Sequence, residues 1–294
     1  MKRTDENRYP QSADLFKFCK EALNIKHAFE VKVIDQHVGA ILGFDPADCS
    51  HWKKGKKNIR SLETVKAIAQ HLDADEREIL DIITGRTDVE DALYEYRGYG
   101  QSALNPKQLD ELKREYFKNT SKYQATLGVN SFEELINLKR DYTEAYAEEL
   151  LLKARVNALP VMIPEIIEVL DGSVVISTTD SPQAPSIKVD YFNSQTIITH
   201  RQGEMKPFHR FLMAREIGRT VLLQGTVNLP ELAPVIDVRL NIFAGALLMP
   251  SALLQSALRH ADASCDPVEQ LSTLFWLPRS VVSTRLRDFI VRKS

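Results

Sequence analysis

Apolar residues recur at helical spacing through most of the chain, and β-formers gather in only one central region. Leu62, Val65, Ile68, Ala69 and Leu72, followed by Ile79 and Leu80, predict two short helices. Pro106 to Ser121 reads as a charged helix and Leu135 to Lys153 as a long amphipathic one, with a short helix over Ile163 to Leu170. Three β-rich runs follow: Ser173 to Thr178, Ser186 to Asp190 and Thr196 to Thr199. The turn formers Asp171-Gly172, Ser181-Pro182 and Asn193-Ser194 punctuate them. The pattern implies a mainly α protein with one small β-sheet.

At 294 residues with 44% hydrophobic content, the chain can bury two cores. Glycines, a proline and polar groups between Tyr96 and Pro106 mark the boundary. The expected division is 1–93, a connector over 94–129 that bridges the domains or pairs with its copy in a dimer, and 130–294.

Charge sharpens this picture. Lys plus Arg number 38 against 40 Asp plus Glu, a net charge of -2, which excludes a bulk polyanion binder. Positive charge is local: His51 to Arg60 holds four lysines and an arginine with no acid, whereas Asp73 to Glu95 is rich in acids. The three cysteines, Cys19, Cys49 and Cys265, form no C-x-x-C pair, so neither a structural zinc nor a disulfide framework is expected. With no apolar run near 18 residues and no N-terminal signal pattern, a cytoplasmic protein off the membrane is expected.

Phe211 to Arg219 reads F-L-M-A-R-E-I-G-R. A helix bearing H-E-x-x-H places two histidines on one face to share a Zn²⁺, while its glutamate activates water. Here both histidine positions are arginine, which is permanently cationic and has no lone pair for a metal. The run resembles the F-T-L-A-H-E-I-G-H helix of the ImmA/IrrE metallopeptidases at five of nine positions. Asn241 to Pro250 resembles the same family's A-N-x-F-A-A-x-L-L-M-P segment, with Leu240 where Ala is usual. The resemblance covers roughly 130–290 and implies a zincin-like α+β domain. It also implies a third metal ligand, a glutamate, near Asp237, the one acid close by. With all three ligand positions altered, no metal, no cofactor and no peptidase activity are expected, unless His200 or His209 rebuilds the site. Arg215, Glu216, Arg219 and Asp237 then form either an ion-pair network replacing the metal cross-link or a cleft that binds a small anion.

The N-terminal third carries a second signal. Val38 to Phe44 resembles the L-A-x-x-L-G-V turn of Cro/C1-type (XRE) helix-turn-helix domains. Asp45 to Gly55 parallels S-x-x-T-I-S-x-W-E-x-G, with Cys49, Ser50 and Trp52 at buried and capping positions and Lys53 in place of glutamate. Gly43 would supply the turn, Asp45 the cap and Pro46 the first helical residue. The resemblance implies a five-helix DNA-binding domain with a homodimer on an inverted-repeat operator. Ala47, Asp48, Ser50 and His51 would face bases, and Lys53, Lys54, Lys56, Lys57 and Arg60 would grip phosphates. The whole reads as a transcriptional regulator whose second domain has lost its zinc and serves ligand sensing, dimerisation or partner binding. The alternatives are an inactive protease that binds a phage-type repressor, or an active peptidase with a rebuilt site.

Overall fold

The computed structural model describes residues 8–27, 32–97, 103–104, 106–181, 187–192, 195–203, 205–223 and 233–293. The chain divides into two compact units, Met1–Tyr99 and Gly100–Ser294. Pro182, Ser186 and Asn193-Ser194 among the predicted turn and strand residues, and 98–102 of the predicted boundary, lie outside the described residues.

The first unit contains six described helices: α1 (Pro10–Lys26), α2 (Asp35–Ala40), α3 (Pro46–Lys53), α4 (Leu62–Leu72), α5 (Glu76–Thr84) and α6 (Val89–Tyr96). Side chains define most of the starts. Asp45, Ser61, Asp75 and Asp88 each accept a hydrogen bond from a first-turn backbone N–H. Gly85 ends α5 in the left-handed conformation at φ 72°. Trp52 is wholly buried, edge-on to Phe16 at 5.2 Å and Phe44 at 5.8 Å, and its indole N–H donates to the Ser12 carbonyl at 2.8 Å. That bond lets a polar ring nitrogen enter an apolar core without cost.

A sixth helix exceeds the five-helix expectation. Tyr96, read as the start of the boundary, is the last residue of α6; its ring packs edge-on to Phe18 at 5.8 Å and its hydroxyl donates to the Leu72 carbonyl at 2.7 Å. The periodicity of 89–96 spans barely two turns, too short to stand out in sequence.

The second unit runs α7 (Pro106–Lys118), α8 (Thr120–Leu127), α9 (Phe132–Lys153), α10 (Ile163–Glu168), β1 (Val174–Thr179), β2 (Ile187–Phe192), β3 (Gln195–Arg201), α11 (Pro207–Leu223), α12 (Ala233–Leu248), α13 (Ser251–His260), α14 (Pro267–Phe275) and α15 (Arg279–Lys293). Of the segment expected as a connector, 94–99 belongs to the first unit and 100–129 to this one. Tyr116 of α7 stacks on Tyr123 of α8 at 5.7 Å, and both join Val129, Phe132 and Leu135 in one apolar cluster. Burying those aromatics outweighs the polar surface that made Pro106 to Ser121 look like a free charged helix.

The sheet has order β1-β3-β2, with β1 parallel and β2 antiparallel to β3. The central β3 buries Thr196 and Ile198. α12 is buried nearly all round, from Leu240 through Phe243, Ala244 and Ala246 to Leu248, and packs between α9 and α11. Among the described residues no single helix is long and apolar enough to cross a membrane. The one pair that passes by composition, Val235–Leu248 with Ser251–His260, is bent by 56°, and its first helix is this core element.

The α11–α12 contact rests on a missing side chain. A Cβ at Gly218 would lie 2.5 Å from Cδ1 of Phe243, closer than van der Waals contact allows. Alanine would gain up to about 1 kcal/mol of helix propensity, yet overpacking costs about 1 to 3 kcal/mol. Gly218→Ala is therefore expected to lower stability by about 1 to 2 kcal/mol in urea denaturation; a more stable variant would contradict this packing.

Burial pushes the Glu78 carboxyl up to about 7 from an ordinary 4.5, and the neighbouring Glu95, Asp75 and Asp81 carboxylates add to the rise. A carboxyl whose folded value exceeds its unfolded one stabilises the fold below the unfolded value. That contribution is lost as pH climbs through the folded value. The melting temperature is expected to fall between about pH 5 and pH 8, and Glu78→Gln to flatten that dependence, as calorimetry would read.

Candidate functional site

Two clusters of sequence-predicted residues can be followed, one in each unit. In the first unit α2 and α3 are two short helices in contact, joined by a turn through Gly43. Gly43 has φ +64° with nothing within 4 Å of where a Cβ would stand, so the backbone conformation alone selects glycine there. At Gly39 a Cβ would meet Cβ of Cys49 at 3.0 Å, which measures how closely α2 and α3 approach. The Cys49 thiol donates to the Asp35 carbonyl at 3.0 Å across the same contact.

Asp45 caps α3, its carboxylate accepting from the Asp48 N–H at 2.8 Å, with Pro46 at the first position. Cys49 and Trp52 are buried as expected. Ser50, expected to share the buried and capping positions, is half-buried and does not cap α3, because it is the fifth residue of the helix and Asp45 holds the cap position. Ala47, His51, Lys53, Lys54, Lys56 and Arg60 are exposed, whereas Asp48, Ser50 and Lys57 are half-buried.

Their chemistry differs from a bare cationic run. Asp35, at the start of α2, accepts from Lys20 at 2.8 Å and Lys53 at 2.7 Å, and these two cations hold its carboxyl below the usual carboxylate range. Asp48 pairs with Lys57 at 2.8 Å, and the Lys57 ammonium sits 3.8 Å from the centre of the Phe44 ring. Arg60 reaches Gln11 at 3.4 Å. Asp48, read as a base-side residue, is thus an ion-pair partner. Two of the lysines read as phosphate contacts carry a carboxylate partner of their own.

In the second unit the structure brings Arg215, Glu216, Arg219 and Asp237 together, three from α11 and one from α12. Arg215 is 3% exposed and donates to Asp237 at 3.1 Å. Arg219 donates through Nε to Glu216 at 3.1 Å and lies 4.0 Å from Asp237. Glu216 also accepts from the Tyr191 hydroxyl of β2 at 2.6 Å. Burial pushes the Tyr191 phenol up to about 12, and the bond to Glu216 adds to it, so this hydroxyl is a donor. Thr196 of β3 and Thr220 of α11 share a buried hydrogen bond of 2.7 Å that fixes the helix against the sheet.

Two guanidiniums thus face two carboxylates. The charges of the set balance, and its two arginines have no lone pair to offer a metal; both carboxylates are taken up as ion-pair partners. The histidines do not restore one. His209 lies six residues before Arg215, about 240° round the helix, and His200 contacts the Arg201 carbonyl at 2.8 Å. Among the described residues no three His, Cys, Asp or Glu side chains gather as a metal site.

Tyr191, Asp35 and Lys20 escape a sequence reading. No local spacing connects Tyr191 to Glu216, 25 residues away, or Asp35 to Lys53, 18 away; only folding makes those pairs. No known family model matches the chain, and no curated protein matches it.

The Arg215–Asp237 pair is lopsided, since Arg215 is buried while the Asp237 side chain is 59% exposed. Removing the aspartate deprives a buried cation of its carboxylate, whereas removing the arginine leaves an acid that water can solvate. Asp237→Leu is expected to cost about 2 kcal/mol in urea denaturation and Arg215→Met less. The double variant should recover part of the loss, and equal costs for the two single changes would contradict the asymmetry.

Proposed function

We propose that the chain is a sequence-specific DNA-binding regulator of the Cro/C1 type, acting as a homodimer on an inverted repeat. The observation that carries this reading is the α2–turn–α3 unit. A short capped helix, pinned by Trp52, presents Ala47, His51 and Lys54 to solvent beside further cations. In such a unit the second helix enters the major groove while the first crosses the backbone. One unit reads few bases, so two related by a two-fold axis, about 34 Å apart, supply the affinity.

The second unit is read as an ImmA/IrrE-like module without catalysis. Its support is the neutral set of two arginines and two carboxylates where the resemblance places metal ligands. A general-base glutamate needs a metal-bound water beside it, and Glu216 instead holds Arg219 and Tyr191. Such a pairing favours a scaffold for dimerisation or partner binding over an anion sensor.

Selection from random DNA should enrich a palindrome with half-sites one helical turn apart. Lys54→Ala should weaken binding to every sequence and lower the salt slope by about 0.9, while His51→Ala should chiefly change sequence preference. Failure to enrich any sequence, or specific binding untouched by both changes, would remove this surface from consideration.

A further inference from the structure

The lysine run from 51 to 60 contains no acid, yet folding returns acids to it from outside that run. Asp35 of α2 takes Lys20 of α1 and Lys53 of α3 in two short bonds, one to each of its oxygens. Asp48, on the first turn of α3, takes Lys57, which Phe44 also holds from its ring face. Neither carboxylate is buried: the side chains of Asp35 and Asp48 are 36% and 44% exposed, so neither pair is needed to compensate a charge inside the core. Both lie on the two helices that a helix-turn-helix sets against DNA, Asp35 where the first helix crosses the phosphates and Asp48 where the second enters the groove.

We propose that Asp35 and Asp48 are internal counter-ions that compete with DNA phosphates for Lys20, Lys53 and Lys57, holding down sequence-independent affinity. The inference rests on the DNA-binding reading above and adds to it the residues that set the ratio of specific to non-specific binding. A lysine that moves from Asp35 to a phosphate leaves a carboxylate to be neutralised by a cation from solution. That uptake cancels one counter-ion released from the DNA. Each carboxylate therefore takes about one unit of charge out of the non-specific term. Base contacts, which do not depend on these ions, keep their full share of the specific affinity.

The consequence is measurable as a slope. For the full chain on random-sequence duplex, plots of log affinity against log salt should steepen by about 0.9 in Asp35→Asn and by about 0.9 in Asp48→Asn. Affinity at low salt should rise severalfold. Asp35→Glu, which keeps the charge, should retain the wild-type slope. Asp73→Asn removes one negative charge from a pair with Lys26 outside α2 and α3, and should change nothing. Because water reaches both carboxylates and neither compensates a charge inside the core, circular dichroism and melting should show all four variants folded. An unchanged slope in Asp35→Asn and Asp48→Asn, weaker binding in either, or an equal gain in Asp73→Asn would overturn the proposal. Where wild type binds selected DNA more tightly than random DNA and the slope stays unchanged in both variants, only this inference falls. Where wild type binds no DNA even at low salt, the functional reading falls with it.

Discussion

Burying a guanidinium is the constraint around which the second unit is arranged. Among its described residues Arg210, Arg215, Arg239 and Arg285 are each at most 7% exposed, and a cation taken out of water must find acceptors in fixed positions. Arg285 of α15 donates to Glu144 of α9 at 2.9 Å, to Ser251 at the start of α13 at 3.0 Å and to the Met249 carbonyl at 3.4 Å. Arg140 extends that cluster to Glu144 and Asp288. Arg239 of α12 reaches Thr143 of α9 at 3.3 Å. Arg215 joins α11 to α12 through Asp237. Each bond is directional, so helices that apolar packing alone would let slide are held in one register.

Arg210 shows the same constraint met without a carboxylate. It donates to the Phe275 and Trp276 carbonyls at 2.9 and 2.8 Å, to the Val161 carbonyl, and lies 4.8 Å from the Trp276 ring. The first two carbonyls end α14, whose last turn leaves such groups without helical partners, and a cation there also meets the negative end of the helix dipole. Trp276 takes the left-handed conformation at φ 52°, which turns the chain out of the helix. Burial lowers the guanidinium to about 10, still far above neutrality, so it stays charged and keeps every donor.

The first unit solves its packing by other means. Its core contains little besides apolar side chains, and its polar exceptions, the Trp52 indole and the Ser12 hydroxyl, are each satisfied by backbone, the latter accepting from the Ile59 N–H at 3.0 Å. Glu78 apart, most of its charges lie at or near the surface, which leaves the fold tolerant of their exchange. The face around α3 can therefore be tuned for charge without endangering the core beneath it.

Local rules made much of this legible. The cap at Asp45, Pro46 after it, the turn at Gly43, the helical rhythm of 62–72 and 135–153 and the three β-rich runs all follow from dihedral preference and periodicity, which act within a few residues. The spacing that sets Arg215 and Arg219 on one helix face is equally local. Sequence order could not decide that β1 and β2 flank β3, that the aromatics of 106–129 join the second core, or that Asp237 meets Arg215. Nor could it show that the acid-free lysine run regains carboxylates from Asp35 and Asp48. Those outcomes depend on which surfaces exclude water together and which charges are then left facing one another, and both are properties of the folded chain in three dimensions.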